Sequence, residues 1–187
     1  MNKIHKLVGT AIFTAIVVVL QLLGGGIHFS MFSITLVLVP VVIGAAVFGW
    51  QSGAWLGFTF GVAVLLTGDA APFYAVDPIG TVITVLMKGL LCGLAAGLTY
   101  RALSKLNRTV AVIAAAIVCP IVNTGVFLLG CLVFFMDTLA EWAVIYGFPN
   151  AGNYMIYGLV GVNFLVELAV NLILAPTVTR IIQLAKR

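Results

Sequence analysis

Six stretches of this chain are apolar over lengths that only lipid or a deep protein interior accepts as surroundings. They run from about Leu7 to Leu23, Phe32 to Phe48, Gly53 to Thr67, Ile79 to Leu103, Thr109 to Phe135 and Tyr154 to Leu184. A helix needs about 20 mostly apolar residues to cross about 30 Å of hydrocarbon. Water does not suit such a surface either. Of 187 residues, 63% are hydrophobic and 7% are charged, with a mean hydropathy of +1.26, whereas soluble domains carry about 25% charge. The pattern predicts an all-α polytopic membrane protein, residues 1–187 forming one domain of six transmembrane helices. The third stretch is short for a full span, so neighbouring residues extend it or it is partly re-entrant. Isolated alternating strands, the signature of a β-barrel, are absent. The same composition excludes a nucleic-acid binder, a disordered regulator and a secreted disulfide scaffold.

The breaks between the stretches carry the orientation. Lys3 and Lys6 precede the first, Arg101, Lys105 and Arg108 lie between the fourth and fifth, and Arg180, Lys186 and Arg187 close the chain. Six spans put these eight basic residues on one side, and Asp69, Asp77, Asp137 and Glu141 on the other. The positive-inside rule then predicts that both termini are cytoplasmic. No clear small-x-small cleavage pattern follows Lys3 and Lys6, so the first apolar run is expected to be retained as a helix.

Two charges remain inside the spans. Lys88 lies ten residues beyond Pro78, about 15 Å deep at about 1.5 Å per residue, and Glu167 thirteen residues beyond Tyr154, about 20 Å deep. A charge at mid-membrane costs a few kcal/mol, so it faces a partner or a cavity: Lys88 and Glu167 either pair with each other, which would imply no charge on a substrate, or each meets a polar ligand. Their neighbours suggest a cavity. Thr81, Thr84 and Lys88 share a face of the fourth helix, and Asn163, Glu167 and Asn171 form a stripe on the sixth, because residues three and four apart are neighbours on a helix. Asn123 follows Pro120 on the fifth, where proline frees a backbone carbonyl and bends the helix. With Tyr157 on the sixth helix, these groups form a candidate substrate site: Thr81, Thr84, Lys88, Asn123, Tyr157, Asn163 and Glu167. The competing reading is a purely structural hydrogen-bond network, favoured for Asn123 or Asn171 taken alone.

Other features read as packing or gating. Gly53, Gly57 and Gly61, and Gly89, Gly93 and Gly97, repeat every fourth residue on consecutive helices, a pattern that permits close backbone approach. Cys92, Cys119 and Cys131 lack metal-ligand spacing and read as small apolar packing residues. The segment from Thr67 to Pro78 has the mixture of prolines, aromatics and acids expected of an ordered lid, with Asp69, Tyr74 and Asp77 as its candidate gating residues. The stretch from Met136 to Asn153 carries Trp142, Tyr146 and Phe148, placed over a pocket or in an interfacial aromatic belt. No nucleophile elbow, zinc-binding helix or phosphate-cradling loop is present, so neither catalysis nor ATP hydrolysis by this chain alone is expected, and no cofactor or metal is implied.

The six helices, the Ala11-Ile12-Phe13-Thr14-Ala15 motif and the segments Ser33-Ile34-Thr35-Leu36-Val37-Leu38-Val39-Pro40 and Phe48-Gly49-Trp50-Gln51-Ser52-Gly53-Ala54 together resemble the substrate-binding S component of energy-coupling factor (ECF) vitamin transporters. The resemblance covers essentially the whole chain. It implies a bacterial plasma-membrane protein that captures one micronutrient from outside and works with a transmembrane coupling subunit and two cytoplasmic ATPases. Ala11 and Ala15 would then face the coupling subunit, and the Thr67–Pro78 segment would be the gate. Lys88 suits a carboxylate such as that of pantothenate. Asn and Thr suit a ring such as that of riboflavin; the two vitamins rank level, with folate or another vitamin behind. The alternatives are a stand-alone channel or secondary carrier, which needs no ATPases, and a membrane assembly factor, which holds no small molecule.

Overall fold

Helix-forming sequence takes up nearly the whole chain, and its breaks fall at glycines, prolines and short polar caps. The computed structural model describes residues 2–24, 28–29, 32–33 and 36–185, without the side chains at 28, 29, 32, 33, 162, 178 and 181–185. Gly25 and Gly26 of the first break, Ile34 and Thr35 of the second-span motif, and Lys186 and Arg187 lie outside the described residues.

Helix α1 spans Lys3–Gly24. A two-residue antiparallel pair follows, β1 (His28–Phe29) with β2 (Phe32–Ser33). Helix α2 is Leu38–Phe48 and α3 is Trp50–Thr67. The expected turn from Gly49 to Ser52 shrinks to Gly49 alone, whose φ of 97° and ψ of 170° belong to a region essentially reserved for glycine. The second span, expected from Phe32, becomes helical only at Leu38, because Phe32 and Ser33 pair with Phe29 and His28 instead.

The expected lid loop contains a helix, α4 (Ala71–Val76). It leads into α5 (Pro78–Leu103), which Asp77 caps by accepting hydrogen bonds from the Ile79 and Gly80 amides, each at 3.0 Å. Asn107 caps α6 (Arg108–Phe134) in the same way, at 2.9 and 3.2 Å from Thr109 and Val110. Such side-chain acceptors satisfy amides that a helix start leaves without partners. Helix α7 (Met136–Ile145) and the short α8 (Ala151–Asn153) follow. A π-helical segment, Tyr154–Val160, then leads into α9 (Gly161–Ala185). Among the described residues, four helices are long and apolar enough to cross a membrane by length and composition: Lys3–Gly24, Pro78–Leu103, Arg108–Phe134 and the continuous Ala151–Thr177.

The centre of the bundle is the α3–α5 seam, where the two glycine stripes meet. A Cβ added at Gly57 would collide with the Gly89 carbonyl, one at Gly89 with the Gly57 carbonyl, and one at Gly93 with the Gly53 carbonyl. Gly97 fits against Trp50 at the same seam. In lipid the association of helices comes from packing rather than from water exclusion, so bare backbone contact is the strongest device available. Around the seam lies a core of Val37, Leu38, Val41, Leu56, Phe60, Cys92, Val112 and Cys119, all within 1% of fully buried. All three cysteines are free and buried.

Helix α1 docks by one stripe. Val17 and Gln21 are buried, Phe13 packs edge-on against Phe48, the Thr10 hydroxyl donates to Ser52 Oγ at 3.0 Å, and Trp55 Nε1 donates to Thr14 Oγ1 at 3.1 Å. The opposite face is exposed, and it carries Ala11 and Ala15 among Leu7, Val8, Ile12 and Val19.

Candidate functional site

A cavity of about 100 Å³ lies between α3, α5, α6 and α9, with Asp69, Ala70, Phe73 and Phe135 also on its wall. One water needs about 10–15 Å³ of such space, so there is room for a small solute. Six of the seven residues expected from the sequence line it: Thr81, Thr84, Lys88, Asn123, Asn163 and Glu167. Asp69 lines it too, with Thr124 and an aromatic wall of Phe60, Phe73, Phe127, Phe135 and Phe164.

The polar groups differ in what already satisfies them. Thr81 Oγ1 donates to the Asp77 carbonyl at 2.7 Å, so its hydroxyl proton is engaged by its own helix. Thr84 Oγ1 and Asn123 Oδ1 are buried without a hydrogen-bond partner, and their residues are only 4% and 6% exposed. A buried polar atom left unsatisfied costs about 1–3 kcal/mol. Both of these atoms belong to residues lining the one cavity. Lys88 makes no hydrogen bond or ion pair among the described residues. Its ammonium lies over the Phe60 ring at 5.8 Å and the Phe127 ring at 5.2 Å, within the range where a ring face attracts a cation. Glu167, 8% exposed, and more weakly Asp69 act on that charge through space. Asn171 Nδ2 donates to the Glu167 carbonyl at 2.8 Å, which leaves Asn171 a structural role outside the cavity.

Three expected residues sit elsewhere. Tyr157 is 70% exposed and does not line the cavity. It falls in the π-helical segment, whose wider turn breaks the 3.6-residue spacing on which a shared helix face depends. Asp77 is committed to capping α5. Tyr74 is half exposed and lines a shallow depression with Leu65, Gly68 and Ala75 rather than the cavity.

Its neighbour Phe73 takes the inward position. It is 4% exposed, with its ring centroid 5.6 Å from Phe127, 5.0 Å from Phe135 and 5.4 Å from Trp142. Sequence reasoning missed this residue, and missed Gln21 as well. Gln21 is fully buried on α1, and its Nε2 donates to Asp69 Oδ2 and to Thr67 Oγ1. The signal for Phe127 was available, since it lies one turn from Asn123 on the same face.

A family model described as "ECF transporter, substrate-specific component" matches residues 5–179. The chain belongs to that family. No curated protein and no solved structure matches it at a significant level. As an ECF substrate-specific component, the S component of its transporter, it is a substrate-binding subunit rather than an enzyme. The family implies a small-molecule cargo, and association with a coupling subunit and ATPases. The long apolar helices of this S component fit a membrane protein.

Proposed function

We propose that this S component captures a water-soluble solute of vitamin size in the cavity between α3, α5, α6 and α9. It then passes the solute inward together with a coupling subunit and two cytoplasmic ATPases, in a bacterial plasma membrane. The observation that carries the reading is the cavity itself, with the orphaned Thr84 and Asn123 oxygens and the Lys88 ammonium on its wall. Asp69 and Phe73 form its gate on the α4 side, and α4 moves to admit the solute.

In this reading the chain crosses the membrane six times, with both termini cytoplasmic. One geometric relation supports that topology. Lys6 Nζ donates to Gln51 Oε1 at 3.0 Å and Gly97, one turn before Arg101, packs on Trp50. The basic start of α1, the α2–α3 junction and the basic end of α5 therefore share one end of the bundle. Gln21 meets Asp69 at the other end. The exposed Ala11 and Ala15 on α1 form the surface for the coupling subunit, since small side chains allow close, reversible helix contact.

Gentle purification followed by mass spectrometry of any retained small molecule tests the capture. Uptake into vesicles tests the rest: transport is expected only when the coupling subunit, both ATPases and ATP are present. Uptake by this chain alone would replace the reading with a stand-alone carrier.

A further inference from the structure

The cavity wall is asymmetric in its chemistry, and the asymmetry describes its occupant. Lys88 supplies three N–H donors and no acceptor, and its charge rests against the Phe60 and Phe127 rings instead of in an ion pair among the described residues. Aromatic faces hold a desolvated cation loosely, at about 0.5–2 kcal/mol, while a carboxylate on an ammonium makes a stronger charge-assisted hydrogen bond. Lys88 can therefore exchange its rings for an anion.

The second element is Asn123, whose Oδ1 is an acceptor buried without a donor. Its depth relative to Lys88 follows from the α5–α6 register, in which Gly130 packs on Thr84 and Gly80 on Phe134. That register sets Lys88 level with Val126, the residue before Phe127, consistent with the Lys88–Phe127 ring contact, and sets Asn123 three residues, about 4.5 Å of helix rise, further from α4. The orphaned Thr84 oxygen lies one turn from Lys88 on the opposite side, toward α4. Phenylalanines fill the wall between.

We infer that the cargo is a small monocarboxylate whose acid group sits on Lys88. It carries an amide N–H or hydroxyl donor on the side away from α4, toward Asn123, and an uncharged body against Phe60, Phe73 and Phe127. This rests on the cavity being the binding site. The Thr84 hydroxyl, free to donate or accept, meets the carboxylate's second oxygen or a polar group nearer α4.

The test is calorimetric titration of the purified protein with matched pairs: pantothenate against pantothenol, nicotinate against nicotinamide, and biotin against its amide. Riboflavin and thiamine serve as carboxylate-free probes, and molecules retained from cells are identified by mass spectrometry. A carboxylate is expected to bind, with its uncharged partner weaker by about 10- to 100-fold. Lys88→Gln should lose a similar factor and Lys88→Arg should recover part of it. Equal affinity within the pair that binds, or no loss in Lys88→Gln, overturns the anion assignment. The matched pairs decide on the unaltered protein if the Lys88 variants fail to fold. A carboxylate-free solute whose binding falls in Asn123→Leu but not in Lys88→Gln overturns the anion and keeps the cavity. Binding indifferent to both substitutions, or no bound or retained solute at all, overturns the cavity reading as well.

Discussion

At the scale of single residues, the site is paid for in unsatisfied polar atoms. Asn123 Oδ1 and Thr84 Oγ1 lie buried without hydrogen-bond partners among the described residues, so stability and binding should respond to them with opposite sign. Asn123→Leu keeps the branched shape and removes the orphan. It is expected to raise the unfolding free energy by about 1 kcal/mol while weakening solute binding at least tenfold, as thermal unfolding and calorimetry on one preparation would show. A lower melting temperature with unchanged affinity would contradict the assignment of that oxygen to the cargo.

Glu167→Gln changes charge without changing shape; it removes a negative charge from the wall beside Lys88, so it should strengthen binding of a monocarboxylate severalfold while leaving membrane insertion intact, read from calorimetry and from the membrane-bound yield. Gln21 tests the opposite face of the site. Its side chain ties α1 to Thr67 and Asp69 at the cavity's edge. Gln21→Leu removes the hydrogen bonds to Asp69 and Thr67 but also the orphaned Gln21 Oε1, so its net effect on global stability should be within about 1 kcal/mol while the local tie is lost. Amide exchange across residues 68–73 should then accelerate, visible by hydrogen–deuterium exchange.

Elements explain why part of this was readable beforehand. Thr81, Thr84 and Lys88 reach one cavity because α5 is an uninterrupted α-helix there, and helical spacing transfers directly from sequence to face. Tyr157 does not, because a π-helical turn has no sequence period of its own, and Tyr154–Val160 is apolar enough to suit either winding. On α4 a single step separates the inward Phe73 from the outward Tyr74. A six-residue helix in a proline-bearing connection offers too few turns to set that phase from pattern alone.

The glycine stripes were legible as close-approach faces, and the α3–α5 seam is where they meet. Gly57→Ala should therefore cost at least about 1–3 kcal/mol, since the new methyl meets backbone rather than a movable side chain. Thermal unfolding of the detergent-purified variant is the check. Trp at Ala11 and Ala15 falls on the exposed face of α1, so it should spare folding and solute binding yet block co-purification with the coupling subunit. Normal assembly would move that contact to another face.

For the whole molecule, charge scarcity established the solvent before any helix was placed. With 7% charged residues among 187, the exposed surface must meet lipid, and Leu66, Val133, Ile173 and Leu129 duly face outward. Labelling of single cysteines introduced at Asn2 and Lys105 in a cysteine-free background should place both on the cytoplasmic side. Opposite accessibilities would break the six-span arrangement.

The sequence by itself determined the helical class, the scarcity of charge and the placing of Lys88 and Glu167 within long apolar stretches. All three follow from composition and local period, which depend on nothing distant. Only the tertiary structure decided which polar atoms go unsatisfied, that Lys88 rests on two rings among the described residues, and that Gln21 and Phe73 belong at the cavity's edge. Those properties depend on which helices meet and at what register, and that is settled by the α3–α5 backbone contact and the α5–α6 alignment. No residue carries that information alone.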